Sequence, residues 1–599
     1  MGLLSRFALG CQLSNPRIWS ETGRTGILSS FSRMLTGAFT CVLQATTVTT
    51  TVKTTGLRYW MLRVLDECDR TAAGFSPDPV HDLRVALRRC RSLADGLMAI
   101  DPDPDWKAMK KAGKRLFQRL GALRDVQIMM EWIEKLHPEE VALERAGVAR
   151  APSPALPTSE QDLESIKNAA AVESKNDKAR DPAAHALLAI LRARESEQKR
   201  EAQAALEAFD RKQWRQWTKS LPQRAARVRL GSPLFKHLAL ERWTAARDLH
   251  NRAMRNRSQV AFHTLRIGIK RFRYIVENFL PAEHQLWSND LKHMQDLLGE
   301  VHDLDVLWAT ALTSRIFPDE ASRQSWHARI VEERTDRLLG YRKKTVGPDS
   351  LWQLWRAGLP QGNQIQAIAT QRMRLWAKAL DPDFAHSERV AKLALELYDG
   401  LTAAGLLAST NGALVDDGKI AKNVRSSLQL AALLHDVGKS QGHKGHHKAS
   451  YELIRTHGTP LGWNAEDLQR AAIVVRFHAG ALPTRSHKAL RDLLPGEQKI
   501  TIQLAAILRL ANALDAAHDG HIRRVQIENV PKPKANRPRR TNGFLHKPAA
   551  RLAKNEALVI AAEGYTPGSS TAQTIAAERH LLETVLRRPV VMKPMMNRG

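Results

Sequence analysis

The chain has 599 residues, 43% of them hydrophobic, which is enough for several packed domains and excludes global disorder. Its 91 Lys and Arg against 62 Asp and Glu leave a formal charge of +29, beyond what solubility needs, so the expected partner is a polyanion: nucleic acid, an anionic membrane surface or an inorganic polymer. Cys11, Cys41, Cys68 and Cys90 lack close pairing, which excludes a disulfide scaffold and a thiolate zinc site and fits a reducing cytoplasm; no apolar run reaches the roughly 18 residues of a membrane-spanning helix.

In chain order, the first 50 residues hold four arginines and one acid. Residues 1–51 read as a disordered extension or an overlong start, with an organellar transit peptide as the weaker alternative. From Leu57 to Leu136 apolar residues recur at three- and four-residue spacing, predicting long helices. Residues 137–182 are rich in Pro, Ala, Ser and charge, the composition of a flexible insertion. Helical periodicity resumes near Ala183 and runs, with breaks expected at Pro222, Pro233 and Pro281, to about Trp355. The stretch "RAGLPQGNQIQ" marks a boundary, with a linker over 361–369. Helices follow again from Ile368, then a basic loop over 530–554 with eight Lys or Arg and no acid. "EALVIAAEG" and "RRPVVMK" are the expected strands. The fold class is mainly α: a duplicated antiparallel bundle of long helices over 52–360, a helical module with a few short strands over 370–565, and a closing helix and strand over 566–599.

The bundle region repeats itself. "HDLRVALRRCR" from His81 aligns without a gap with "HTLRIGIKRFR" from His263, and "RLGALRDVQIM" aligns with "LLGEVHDLDVL", so Gly121 answers Gly299 and Asp125 answers Asp303. On a helix, His81, Arg84, Arg88 and Arg91 fall within an arc of about 80°, as do His263, Arg266, Lys270 and Arg273. Leu83, Leu87 and Cys90, like Leu265, Ile269 and Phe272, take the opposite side. Like charges at this spacing repel by a few tenths of a kcal/mol per pair, roughly, so the ladders do not exist to stabilise helices. Arg forks, Lys point charges and His donors together suit a row of phosphates. Readers of single-stranded nucleic acid interleave aromatic platforms with their cations, and here only Phe272 and Tyr274 are available.

Two H-x-x-R-x-x-x-[RK]-x-x-R segments, each followed by a helix carrying LG-x-x-x-D, resemble the CHAD family, the conserved histidine α-helical domain. The resemblance implies a duplicated helical bundle around a basic channel that binds inorganic polyphosphate, often on polyphosphate granules in the cytoplasm. By position, His81, Arg84, Arg88, His263, Arg266 and Lys270 would line it, with Lys114, Arg115, Arg119 and Arg124 as companions. His302 stands where Arg124 stands in the first copy.

The second chemical signal is "LAALLHDVGKSQGHKGHHKASYELI". A His-Asp pair closing an apolar helix is costly to bury unless satisfied, and a divalent metal satisfies both groups. With "HSERVAKLALELYDGL", "RFHAG" and "LAAILRLANALD", this segment resembles the HD phosphohydrolase superfamily, and most closely the helical domain attached to exopolyphosphatases and guanosine pentaphosphate phosphohydrolases. That resemblance implies His386, His435 and Asp436 as ligands of a divalent ion such as Mg or Mn, His446 and His478 as supports of a second, and Lys439 as a phosphate contact. The ion would activate water for attack on phosphorus. The closing family ligand is an Asp, and Asn512 occupies its place here, with Asp515 one turn later. Either Asp515 substitutes, or the site is a phosphate-binding module, since Asn is a poorer neutral ligand. The expected function is polyphosphate binding joined to a metal-dependent phosphohydrolase-like module. The alternatives are a noncatalytic polyphosphate receptor, a nucleotide or cyclic-nucleotide hydrolase, and, last, a nonspecific nucleic-acid binder.

Overall fold

A computed structural model describes residues 56–136, 181–407, 417–528 and 557–595. The N-terminal extension, nearly all of the insertion and the basic loop lie outside these residues. No described helix is long and apolar enough to cross a membrane.

The first half of the bundle is built from α1 (Leu57–Ala72), α2 (Pro77–Leu97), α3 (Pro104–Ala112), α4 (Lys114–Leu136), α5 (Pro182–Glu207) and α6 (Arg211–Ala225). Caps match composition: Asp103 accepts from the Asp105 amide, and Asp181 accepts from those of Ala183 and Ala184. The second half comprises α7 (Pro233–Asn256), α8 (Gln259–Phe279), α9 (Pro281–Thr313), α10 (Glu320–Thr345) and α11 (Leu351–Ala357). Pro233 and Pro281 each open a helix, where a missing N–H is harmless. Pro222, expected as a break, instead lies inside α6. Buried Trp214, Trp217 and Leu221 hold that helix to the core and override the proline.

Equivalent helices of the two copies meet. The helix α2 packs on α8, and α4 on α9. Leu83, Leu87 and Cys90 share one core with Leu265, Ile269 and Phe272, all fully buried. Gly96 is part of that fit: a Cβ there would enter the Phe279 ring, which stacks on Phe235 with centroids 4.2 Å apart.

The second module contains α12 (Asn363–Leu380), α13 (Phe384–Ala403), α14 (Asp417–Leu434), a 3-10 turn (Val437–Gln441), α15 (His446–His457), α16 (Ala465–Arg476), α17 (Lys488–Arg491) and α18 (Pro495–Leu514). It closes with β1 (Arg524–Ile527), β2 (Leu558–Glu563), α19 (Ser570–Glu578), α20 (His580–Leu586) and β3 (Val590–Pro594). The strands form one sheet in the order β1-β2-β3, antiparallel at Arg524↔Glu563 and parallel at Leu558↔Val590. The segment β1 was not among the expected strands. The closing helices and β3 share this module's core, through Ile575, Leu581, Leu582 and Val590, so residues 566–595 are not a separate appendage.

The helix α12 starts inside the segment expected as a linker, because Ile365 and Ile368 pack onto the bundle core. From it, buried Arg372 reaches Glu241 of α7 at 2.9 Å and the His237 Nδ1 at 3.2 Å. The His237 Nε2 donates to the Leu461 carbonyl at 2.8 Å, and Glu241 accepts from the Leu461 amide. One polar network therefore ties the bundle to both α12 and the loop after α15. Arg372→Ala leaves Glu241 and His237 without their buried cation, and urea unfolding is expected to show a loss of about 2–3 kcal/mol.

Candidate functional site

The ladders stand on α2 and α8, anchored by their buried apolar faces. Arg84 is depressed below the usual guanidinium range by burial first, with Arg88, Arg124 and Arg266 adding to it. Lys270 is pushed down to about 7 by burial, then by Arg266, Arg88 and Arg84. Those mutual effects cross from α2 to α8, so the ladders confront one another. Among the described residues no carboxylate lies within ion-pair distance of Arg88, Arg266 or Lys270, and the Nε atoms of Arg88 and Arg266 are buried without a hydrogen-bond partner. Arg88 lies 5.5 Å from the Tyr274 ring, and Arg84 and Arg91 flank Phe117 at 5.7 and 5.3 Å.

The repeated LG-x-x-x-D segments sit beneath the ladders. A Cβ on Gly121 would lie 3.6 Å from the Arg84 Nη2, and one on Gly299 3.9 Å from the Arg266 Nε. Asp125 stands 3.8 Å from Arg84. Burial raises Asp303 to about 6 against the pull of Arg266, with Asp125 adding to the rise. His263 meets His302, Nδ1 to Nδ1 at 3.2 Å.

Other expected contributors are already engaged. The Arg91 Nη1 donates to the Lys110 carbonyl at 2.8 Å, Arg119 pairs with Glu201 at 2.7 Å, Arg124 with Glu131 at 2.8 Å, and Arg273 approaches Glu277 at 3.8 Å. Lys114, Arg115 and His81 are exposed. The inner set is thus Arg84, Arg88, Arg266 and Lys270, with the His263–His302 pair.

In the second module, α14 ends at Leu434 and presents His435 and Asp436 in the turn that follows. His386 comes from the first turn of α13, His446 opens α15, and His478 follows α16. They converge on Asp436. Its Oδ2 lies 3.3 Å from the His435 Nε2 and 3.9 Å from that of His386; its Oδ1 lies 3.4 Å from the His446 Nε2 and 3.9 Å from that of His478. Two groups, His386/His435/Asp436 and Asp436/His446/His478, each bring three ligand atoms within 4.8 Å of one another.

The imidazole tautomers follow from the partners. The Nδ1 atoms of His435, His446 and His478 face the carbonyls of Ala432, His443 and Val475 at 2.7, 2.9 and 2.7 Å. A carbonyl only accepts, so each Nδ1 carries the proton and each Nε2 offers a lone pair inward. The His435 Nε2 is buried with no hydrogen-bond partner. Burial pushes His435 and His478 down and keeps them neutral. Asp436 is held below the usual carboxylate range: burial opposes this, and the Lys439 ammonium beside it favours the ionised form. Orphaned nitrogen lone pairs around an ionised carboxylate are a donor set that fits a divalent cation.

Asp515 stands behind His386 rather than among the groups facing Asp436. Its Oδ2 accepts from the His386 Nδ1 at 2.7 Å and from Arg389 at 2.9 Å, while its Oδ1 accepts from the Gly520 amide at 3.0 Å. The Asn512 Oδ1 is 2.9 Å from the His386 Nε2. Lys439 lies 2.6 Å from the Asp436 Oδ2. Sequence reasoning missed His518, whose ring stacks on His386 with centroids 3.8 Å apart and whose Nδ1 meets Asp383 at 2.7 Å. Its left-handed backbone, φ 59°, is the only mark it bears, and that is invisible in the residue type.

Ser450 staples the cluster: its hydroxyl donates to the His435 carbonyl at 2.7 Å and accepts from the Gly438 amide at 2.8 Å. A Cβ on Gly438 would run into the His446 carbonyl and the Ser450 amide. Gly438→Ala is therefore expected to push α15, and His446 with it, from Asp436, at a cost of about 3 kcal/mol read from the unfolding of this module.

Residues 61–312 match the family model described as CHAD domain, and residues 371–555 that of Ppx/GppA phosphatase, domain III. A search of curated proteins found no match. The second match stops short of β2, although β2, α20 and β3 complete the same core. The chain carries a CHAD domain followed by a Ppx/GppA phosphatase domain III.

Proposed function

We propose that this chain binds inorganic polyphosphate between α2 and α8 and that its second module is an HD-type, metal-dependent phosphohydrolase acting on polyphosphate or a related phosphoanhydride. The observation that carries the first half is the pair of facing ladders, whose inner cations are half-buried with few acids beside them. Shifting Lys270 from the ordinary 10.5 to about 7 corresponds to roughly 5 kcal/mol against its charged form. A charge-assisted hydrogen bond contributes about 1.5–3 kcal/mol, so several such bonds, as a chain of phosphates would supply, are needed to offset this. Among the described aromatic rings beside the ladders, Phe272 is buried, Tyr274 packs against Arg88 and Phe117 against Arg84 and Arg91, so each is already covered, which disfavours single-stranded nucleic acid. Polyphosphate granules in the cytoplasm are the matching location.

For the second half, His386, His435, Asp436, His446 and His478 would hold the divalent metal. Once bound, it would supply Lewis-acid stabilisation of the phosphoryl group and an activated water. Asp515 orients His386, and Lys439 is placed to meet phosphate when it leaves Asp436. The pairing of Lys439 with Asp436 and the neutral Asn512 favour, as a second reading, a receptor in which both modules only bind; nucleotides are the other substrate class.

Arg88→Ala and Lys270→Ala are each expected to weaken polyphosphate binding at least about tenfold, and the quadruple alanine variant with Arg84 and Arg266 to abolish it. Arg119→Ala, whose guanidinium is spent on Glu201, should change affinity less than about twofold. Binding restores the charge of Lys270 and is opposed by ionised Asp303, so affinity should fall as pH rises through about 6 and again through about 7. Unchanged affinity in the quadruple variant contradicts the channel. Phosphate release from polyphosphate or nucleotides in the presence of Mn or Mg should vanish in His435→Ala/Asp436→Ala; release that survives places the chemistry elsewhere.

A further inference from the structure

The two groups around Asp436 are not equivalent, although they share its carboxylate. On the Oδ2 side, the inner lobe of His386 and His435 already has a cation: the Lys439 ammonium at 2.6 Å. Beside it the His435 Nε2 is without a hydrogen-bond partner and Asn512 is a neutral amide, while both oxygens of Asp515 are spent on His386, Arg389 and Gly520. An ion entering there must displace the lysine and gains no second carboxylate.

On the Oδ1 side, in the outer lobe, no further Lys or Arg among the described residues lies within ion-pair distance. The Nε2 atoms of His446 and His478 point at each other across 3.0 Å. Each ring has its proton committed to a carbonyl on the far nitrogen, at 2.9 and 2.7 Å. Two lone pairs at that separation repel, and the arrangement is satisfied by a cation held by both nitrogens and by the carboxylate oxygen 3.4 and 3.9 Å from them. His446 is 19% exposed, so this lobe opens to solvent and leaves coordination positions free. Two imidazoles and one carboxylate oxygen suit a borderline transition ion; Mg, which demands oxygen ligands in octahedral array, is poorly served.

We infer that this chain binds one transition-metal ion, in the outer lobe of Asp436, His446 and His478, and that Lys439 occupies the inner lobe in place of a second. The inference rests on the metal-centre reading proposed above and sharpens it, naming the lobe, the stoichiometry and the class of ion.

Titration of the full chain with Co, followed by visible absorption and calorimetry, tests it. The expected result is one equivalent, undisturbed by about a thousandfold excess of Mg. His478→Ala should weaken binding by at least about 100-fold, while His386→Ala stays within about threefold. His446→Ala, on the open side of α15, repeats the test where buried His478→Ala fails to fold. Lys439→Gln should raise the stoichiometry to two. Two equivalents in the parent chain, loss of the ion in His386→Ala, or displacement by Mg overturns the proposal while leaving a metal centre in place. No Co binding at all overturns the metal reading together with it, and polyphosphate affinity measured on the same sample reports on the ladders separately.

Discussion

The arrangement between α2 and α8 depends on like charges held together with restricted access to water. Each ladder is fixed by what lies behind it, since fully buried Leu83, Leu87 and Cys90 on one helix and Leu265, Ile269 and Phe272 on the other leave the cationic faces no freedom to turn outward. Hydrophobic burial thus supplies the free energy that keeps Arg84, Arg88, Arg266 and Lys270 confronted. Asp125 and Asp303 blunt the repulsion without cancelling it, as the depressed Lys270 records. On the proposed reading such a site suits a flexible polyanion, which would bring many charges at the entropic cost of one binding event.

The second module solves the opposite electrostatic problem. Here neutral imidazoles crowd a single carboxylate, and backbone carbonyls dictate which nitrogen of each ring faces inward. Those carbonyls belong to the ends of α14 and α16 and the turn before α15, so helix termination itself aims the lone pairs. The junction of Arg372, Glu241 and His237 with the loop around Leu461 joins the bundle to the second module through largely buried polar contacts.

Much of this was legible in the amino-acid order. The ladders are visible because helical period and charge coincide twice, and the two core faces because their apolar residues repeat at the same period. The His-Asp cluster is visible because an HD dipeptide followed by Gly-Lys closes an apolar helix and spaced histidines stand on both sides of it. What stayed hidden depends on partners distant in sequence. Arg91, Arg119 and Arg124 looked equal to Arg88 until Lys110, Glu201 and Glu131 claimed them. Asp515 and Asn512 differ by less than one helical turn, yet only the fold shows that the acid faces the far nitrogen of His386 and the amide the near one. Pro222 misled because local propensity was outweighed by two buried tryptophans, and β1 was too short to announce itself before its partner β2 was in place.

The central claim is that half-buried, mutually repelling cations between α2 and α8 await a polyanion. Calorimetry of polyphosphate binding near pH 7, repeated in buffers of different ionisation enthalpy, tests it most directly, because Lys270 must regain a proton as phosphates arrive. The account predicts net proton uptake in the parent chain that falls in Lys270→Met to the smaller share taken up by Asp303. Binding with heats that do not depend on the buffer would contradict it.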